Sequence, residues 1–345
     1  MNPLRIWLVG FGTVGRWLVR ALDSQAERLA GRYGVGVRLV GLANARDGFV
    51  YDGNGLDRAA VLAMASGERT IAEESGVRRW PSAVEGLRAT EADLLVEVTA
   101  SPATDGEPGL AHMREALERG IPVVTSNKWP VALHGVELAE LARREGVAFR
   151  AESTVMSGTP VVGPLVEGLA GAVPLRLRGL LNATANFILS RVAQGETYEA
   201  ALAQAERAGL AERDPAADVE GHDTVAKIMI LSALVFGRQL RRDEVVCRGI
   251  ADVGPGTRVK HVSTLEFSEP DGTGAVTARV EPQLVDADDP LASIEGTTNA
   301  VVCQADPIGE VTIIGPGAGP HLAGQGVLSD LIAVARSTRQ PRGGA

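Results

Sequence analysis

Only two cysteines occur in this chain, Cys247 and Cys303. Alone they can build neither a disulfide framework nor a thiolate metal centre, and both read as reduced and buried. There is no excess of positive charge: 34 Lys and Arg stand against 43 Asp and Glu, a net charge of −9. That balance argues against nucleic acid or an anionic membrane as partner. No apolar run is long enough to span a bilayer, the longest being Ile228 to Phe236, where about 20 residues are needed. No secretory signal is expected at the N-terminus. His112, His134, His222, His261 and His321 lack metal-ligand spacing. No GxSxG and no cysteine-nucleophile context is present. These absences leave a cytoplasmic protein with a small-molecule partner.

What is present is length and order. The 345 residues suffice for two domains. Up to about residue 150, short apolar runs alternate with amphipathic segments. Strands are expected at Leu4–Val9, Val37–Ala43, Asp93–Val98, Pro122–Thr125 and Val147–Glu152, and helices at Thr13–Ala30, Asp57–Ser66, Glu107–Arg119 and Val131–Glu145. This βαβ alternation predicts a Rossmann-type, doubly wound, mainly parallel sheet. Residues 151–314 read as an α+β domain. Helices are expected at Pro160–Ala170, Phe187–Gln194, Tyr198–Ala208 and Asp223–Val235, with strands at Leu175–Leu181, Val259–Phe267, Ala275–Val280, Ala300–Gln304 and Glu310–Ile314. Residues 315–345, with the helix Gln325–Arg336, return to the first domain.

The strand Leu4–Val9 runs into Gly10-Phe11-Gly12-Thr13-Val14-Gly15, a GxGxxG in the strand–turn–helix context that a dinucleotide requires. Gly10 makes the turn, Gly12 admits a pyrophosphate to the backbone, and Gly15 permits close helix–strand packing. The helix N-terminus supplies N–H donors to phosphate. A tight turn without a ligand is the alternative. At the end of the second strand, where NAD enzymes usually carry an acid, stands Asn44, followed by Arg46. Asn44 can bond a ribose hydroxyl and Arg46 can pair with a 2′-phosphate, which leans towards NADP over NAD. A solvated Arg46 is the alternative.

Lys128 lies just past a buried strand, at the strand ends where ligands bind in open α/β sheets. It could reach a nicotinamide and a reacting oxygen; a surface lysine is the alternative. Glu212, Asp214, Asp218, Glu220, Asp223 and Lys227 fall within sixteen positions. Lys227 sits in TVAKIMILSALV, where nearly every neighbour is apolar. Burial favours the neutral amine, so this lysine is a candidate for proton transfer. Asp223, four residues earlier, shares its helix face. The bland reading is a surface ion pair worth about 0.3–0.5 kcal/mol. Several acids converging on one lysine fit a polar substrate pocket better.

Together these pieces resemble the homoserine dehydrogenase family over nearly the whole chain. The motifs are GLLNATANFIL, GLAERDPAADVEGHDTVAK, the segment ending in PVVTSNKWPVAL, PLASIEGTTNAV, and GPGAGP followed by VLSDLI. The resemblance implies NAD(P)-dependent interconversion of L-homoserine and L-aspartate 4-semialdehyde, a step towards threonine, methionine and isoleucine. It implies that Lys128 and Lys227 are catalytic and that Glu212 binds the substrate amino group. Asp218, Asp223 and Thr184 would complete the pocket, and Thr99, Ala100 and Gly317 would lie along the cofactor. A monovalent cation, usually sodium, would rest on Glu152 and the carbonyls of Val155, Ser157 and Thr159. The second domain would also form a homodimer. No aspartokinase half and no ACT-type regulatory domain is expected. A Rossmann oxidoreductase for another amino-acid aldehyde or hydroxy acid, and a silent NADP-binding protein, are the competing readings.

Overall fold

A computed structural model describes residues 2–211, 214–269 and 272–338. The chain divides into two units: residues up to Thr154 together with those from Gly319 onward, and Val155–Ala318.

The first unit is built on a seven-stranded sheet. In chain order its strands are β1 (Leu4–Val9), β2 (Val37–Asn44), β3 (Gly48–Tyr51), β4 (Arg78–Trp80), β5 (Leu94–Glu97), β6 (Val123–Thr125) and β7 (Phe149–Arg150). They lie in the order β4-β3-β2-β1-β5-β6-β7. The five from β2 to β7 are parallel, which is the Rossmann-type arrangement. Strand β1 shows why both faces are covered. Leu4, Ile6 and Leu8 enter one apolar cluster, while Trp7 and Val9 enter another on the opposite face. The C-terminal helix Pro320–Ser337 supplies Val327, Leu328, Leu331, Val334 and Ala335 to the first of these.

Three features depart from expectation. The single helix expected over Thr13–Ala30 is two, Thr13–Ser24 and Ala26–Tyr33, broken at Gln25 (φ −107, ψ 11). The bend turns Leu29 into the core, where it is buried. Strands β3 and β4 form an antiparallel edge that short apolar runs do not announce. The third departure is the helix after β6, which starts at Lys128 rather than Val131. Pro130 is tolerated there because first-turn N–H groups have no intrahelical partner.

The second unit carries a six-stranded sheet. Its strands are β8 (Val173–Leu180), β9 (Val245–Cys247), β10 (Val259–Phe267), β11 (Val276–Leu284), β12 (Thr298–Asp306) and β13 (Gly309–Pro316), in the order β13-β12-β8-β10-β11-β9. All pairings are antiparallel except β11 with β9. Helices Ala183–Ala193, Tyr198–Arg207, Ala216–Val219 and His222–Val235 accompany the sheet. The segment expected as a helix over Pro160–Ala170 is instead a π-helical turn, Pro164–Gly168. Among the described residues no helix is long and apolar enough to cross a membrane.

Candidate active site

In the first unit the strand order reverses between β1 and β5, and their carboxyl ends meet. Gly10 adopts φ +107, and a Cβ there would stand 2.5 Å from the Val98 carbonyl carbon. A Cβ on Gly15 would stand 2.2 Å from the Gly10 oxygen, so the helix seats directly on the turn. Gly12 differs: nothing lies within 4 Å of its Cβ position. It is also the N-cap of the helix Thr13–Ser24, with no side chain capping it. Open space before uncapped N–H groups suits a pyrophosphate. Phe11 is buried, and its carbonyl accepts from Arg16 Nε at 3.2 Å. Thr13 is exposed and Val14 half-buried.

Asn44 ends β2 with its amide committed to its own turn. Its Oδ1 accepts from Arg46 N at 2.9 Å and Asp47 N at 2.6 Å, and its Nδ2 donates to Asp47 Oδ2 at 2.9 Å. Arg46 is exposed on the same turn. Thr99 is half-buried and Ala100 exposed just past β5. Lys128, half-buried, is the first residue of the helix Lys128–Glu145, with Asn127 at the N-cap position.

In the second unit Lys227 is 7% exposed on the helix His222–Val235. Its Nζ lies 2.8 Å from Asp223 Oδ2 and donates to the Leu181 carbonyl at 2.6 Å. The side chains of this pair are 9% and 16% exposed, which rules out the surface ion pair. Asn182 ties the group together. Its Nδ2 donates to Asp218 Oδ1 at 2.7 Å and to Asp223 Oδ2 at 3.5 Å, while its Oδ1 accepts from Ala185 N at 2.8 Å and caps the helix Ala183–Ala193. Thr184 is buried, and its hydroxyl donates to the Leu210 carbonyl at 2.8 Å. Lys227, Asp223 and Asp218 are therefore brought together around Asn182, which the sequence reading did not single out. An Asn directly before a helix is a capping signal that marks it. Glu212 lies outside the described residues.

Glu152 belongs to the first unit, and Val155, Ser157 and Thr159 to the second. Ser157 has left-handed backbone (φ 54). The Ser157 hydroxyl donates to the Gly317 carbonyl at 3.1 Å, and that of Thr159 to the Pro316 carbonyl at 2.8 Å. Gly317 abuts Asn299, whose amide nitrogen would meet a Cβ there at 2.0 Å. Among the described residues, no group of three or more His, Cys, Asp or Glu could hold a metal ion.

Two sequence families match in tandem. The one described as homoserine dehydrogenase, NAD binding domain, covers residues 10–152, and the one described as homoserine dehydrogenase covers residues 160–332. The chain belongs to the homoserine dehydrogenase family. It is an NAD(P)-dependent oxidoreductase acting on a CH–OH group. It is similar to an NAD(+)-dependent homoserine dehydrogenase of Pseudomonas canavaninivorans, 37% identical, with 98% of this chain and 97% of that protein covered. A homoserine dehydrogenase of Methanocaldococcus jannaschii is 34% identical, covering 97% and 99%. Among solved structures, a hyperthermophilic archaeal homoserine dehydrogenase in complex with NADPH superposes with a TM-score of 0.82 at 28% identity, covering 97% and 98%.

Proposed function

We propose that in this homoserine dehydrogenase Lys227 handles the proton when L-homoserine and L-aspartate 4-semialdehyde are interconverted. The observation that carries the reading is the buried Lys227 Nζ between Asp223 and the Leu181 carbonyl. An ammonium has three N–H groups, and among the described residues these two acceptors account for two of them. The third is left to donate to the substrate oxygen as it gains charge, and in reverse the neutral amine takes the hydroxyl proton. The nicotinamide, when bound, accepts hydride from the alcohol carbon or returns it to the aldehyde. Lys128, at the start of its helix, is the second catalytic lysine of this reading. Glu212 and Asp218 hold the substrate ammonium, with Thr184 lining the pocket. Asp223 orients Lys227.

Gly10 to Gly15 hold the cofactor phosphates, with Thr99, Ala100 and Gly317 along its length. The open Cβ position of Gly12 supports this. On the ribose side, Asn44 presents the Asp47 carboxylate to the hydroxyls, and the exposed Arg46 meets a 2′-phosphate. The turn thus serves both NAD, the cofactor in the name of the Pseudomonas relative, and NADP, whose reduced form is bound in the archaeal structure. A sodium ion on Glu152 and the carbonyls of Val155, Ser157 and Thr159 belongs to the same reading, and the left-handed bend at Ser157 supports a built loop there. A cytoplasmic homodimer completes it. Two unpaired cysteines suit the compartment, and the exposed Val173, Ile308 and Ile314 in the region of β8 and β13 suit a second copy. The test is a steady-state assay of the purified protein with L-homoserine and each of NAD and NADP. No reduction of either cofactor would overturn the reading.

A further inference from the structure

Below the start of the Lys128 helix lies a buried carboxylate that the reaction as described does not use. Glu97 ends β5 and has no solvent exposure. Its Oε1 accepts from the Thr99 hydroxyl and from Thr99 N at 3.3 Å, and lies 3.4 Å from Nδ1 of the buried His112. Its Oε2 accepts from the Thr125 hydroxyl at 3.4 Å. Both threonine oxygens then accept from one residue. Thr99 Oγ1 takes Asn127 Nδ2 at 3.1 Å, and Thr125 Oγ1 takes Asn127 N at 2.9 Å. Asn127 Nδ2 also donates to Ser101 Oγ at 2.8 Å, and Ser101 Oγ accepts from Gly109 N at 3.2 Å.

We propose that Glu97 is a positioning residue: it sets the direction of a hydrogen-bond relay through Thr99 and Thr125 to Asn127, and thereby places Lys128. This rests on the role given to Lys128 above. Two observations support it beyond proximity. Both threonine hydroxyls donate to the Glu97 carboxyl and so keep their lone pairs for Asn127, Thr125 for its backbone N–H and Thr99 for its side-chain NH₂, which fixes which end of the Asn127 amide faces Thr99. Asn127 is also the N-cap residue of its helix yet makes no side-chain capping bond. Capping is the usual stabilising use of Asn at that position. The side chain serves the relay instead, and the residue directly after it is Lys128.

The substitution Glu97→Gln tests the idea, because its amide NH₂ cannot accept and one arm of the relay must reverse. In the full-length protein, kcat with L-homoserine should fall about 30-fold, while the Kd for NAD and the KM for homoserine stay within about threefold. A structural role alone would lower the melting temperature and leave kcat of the folded protein intact. The double variant Glu97→Gln, Lys128→Ala should be no slower than Lys128→Ala alone. A Glu97→Gln enzyme within about threefold of the wild-type kcat overturns the proposal, as does a double variant in which the two losses multiply. Should Glu97→Gln fail to fold, Thr125→Val removes one arm without altering shape, and the same two outcomes decide. A Lys128→Ala enzyme with full activity would instead refute the role of Lys128, a separate result.

Discussion

Lys227 is held by charge, whereas the approach to Lys128 is held by neutral donors and acceptors that end in a carboxylate. Lys227 has an acid one helical turn away and a carbonyl at 2.6 Å, with apolar side chains around it. Lys128 follows Asn127, which is fixed by two hydroxyls from the loop after β5 and one from the end of the strand just before it. A buried ion pair is strong but loses heavily when one partner is removed, because the other charge is left stranded. A relay of neutral bonds loses less per member but depends on every member keeping its direction. A lysine that exchanges a proton gains from the first arrangement. A lysine that only steadies charge gains from the second.

The largest effect is expected from Lys227→Ala, which should lower kcat about 10³-fold while the Kd for NAD stays nearly constant. Lys128→Ala should cost about tenfold less in kcat, and equal losses in steady-state assays would erase the contrast between the two. Next comes stability. Asp223→Ala strands Lys227 and should lower the unfolding free energy by about 3 kcal/mol, against about 1 kcal/mol for Asn127→Ala. Urea unfolding reads both, and the reverse order would break the comparison. Arg46→Ala should weaken NADP about tenfold in fluorescence titration and leave NAD unchanged.

The smallest expected effect concerns pH. His261 is buried below Gly221, the N-cap of the Lys227 helix, and its Nε2 faces the Arg248 carbonyl at 3.0 Å. Burial pushes its pKa below the ordinary 6.5, and the carbonyl opposes that only in part. The unfolded chain therefore takes up a proton before the folded one does, and stability should fall as pH drops below 6.5. His261→Gln should flatten that fall in urea titrations at several pH values. An unchanged slope would assign the acid sensitivity elsewhere.

What could be read from sequence follows the same contrast. The Asp223–Lys227 pair is four residues apart on one helix, so its geometry is local and visible as spacing. The turn after β1 is likewise a single short segment. Glu97, His112 and the Thr125–Asn127 stretch come from three separate segments that only the sheet order brings together, and no period marks them. Asn44 shows a subtler limit. Its position at the end of β2 was legible, but its amide is spent on its own turn and on Asp47, which loop composition does not reveal. Strands β3 and β4 were hidden because each is only three or four residues long.

The return of the C-terminal helix has a consequence for biosynthesis. Val327, Leu328, Leu331, Val334 and Ala335 lie in the same cluster as Ile6, Leu8 and Leu18. Ile6, Leu8 and Leu18 thus wait for a helix made much later in synthesis before that face of the sheet can close. The second unit lies wholly between them and has all its strands before the helix emerges. During synthesis the second unit can therefore mature ahead of the first. A stop codon placed before Pro320 would therefore cost the dinucleotide-binding unit its closing helix, not a dispensable tail.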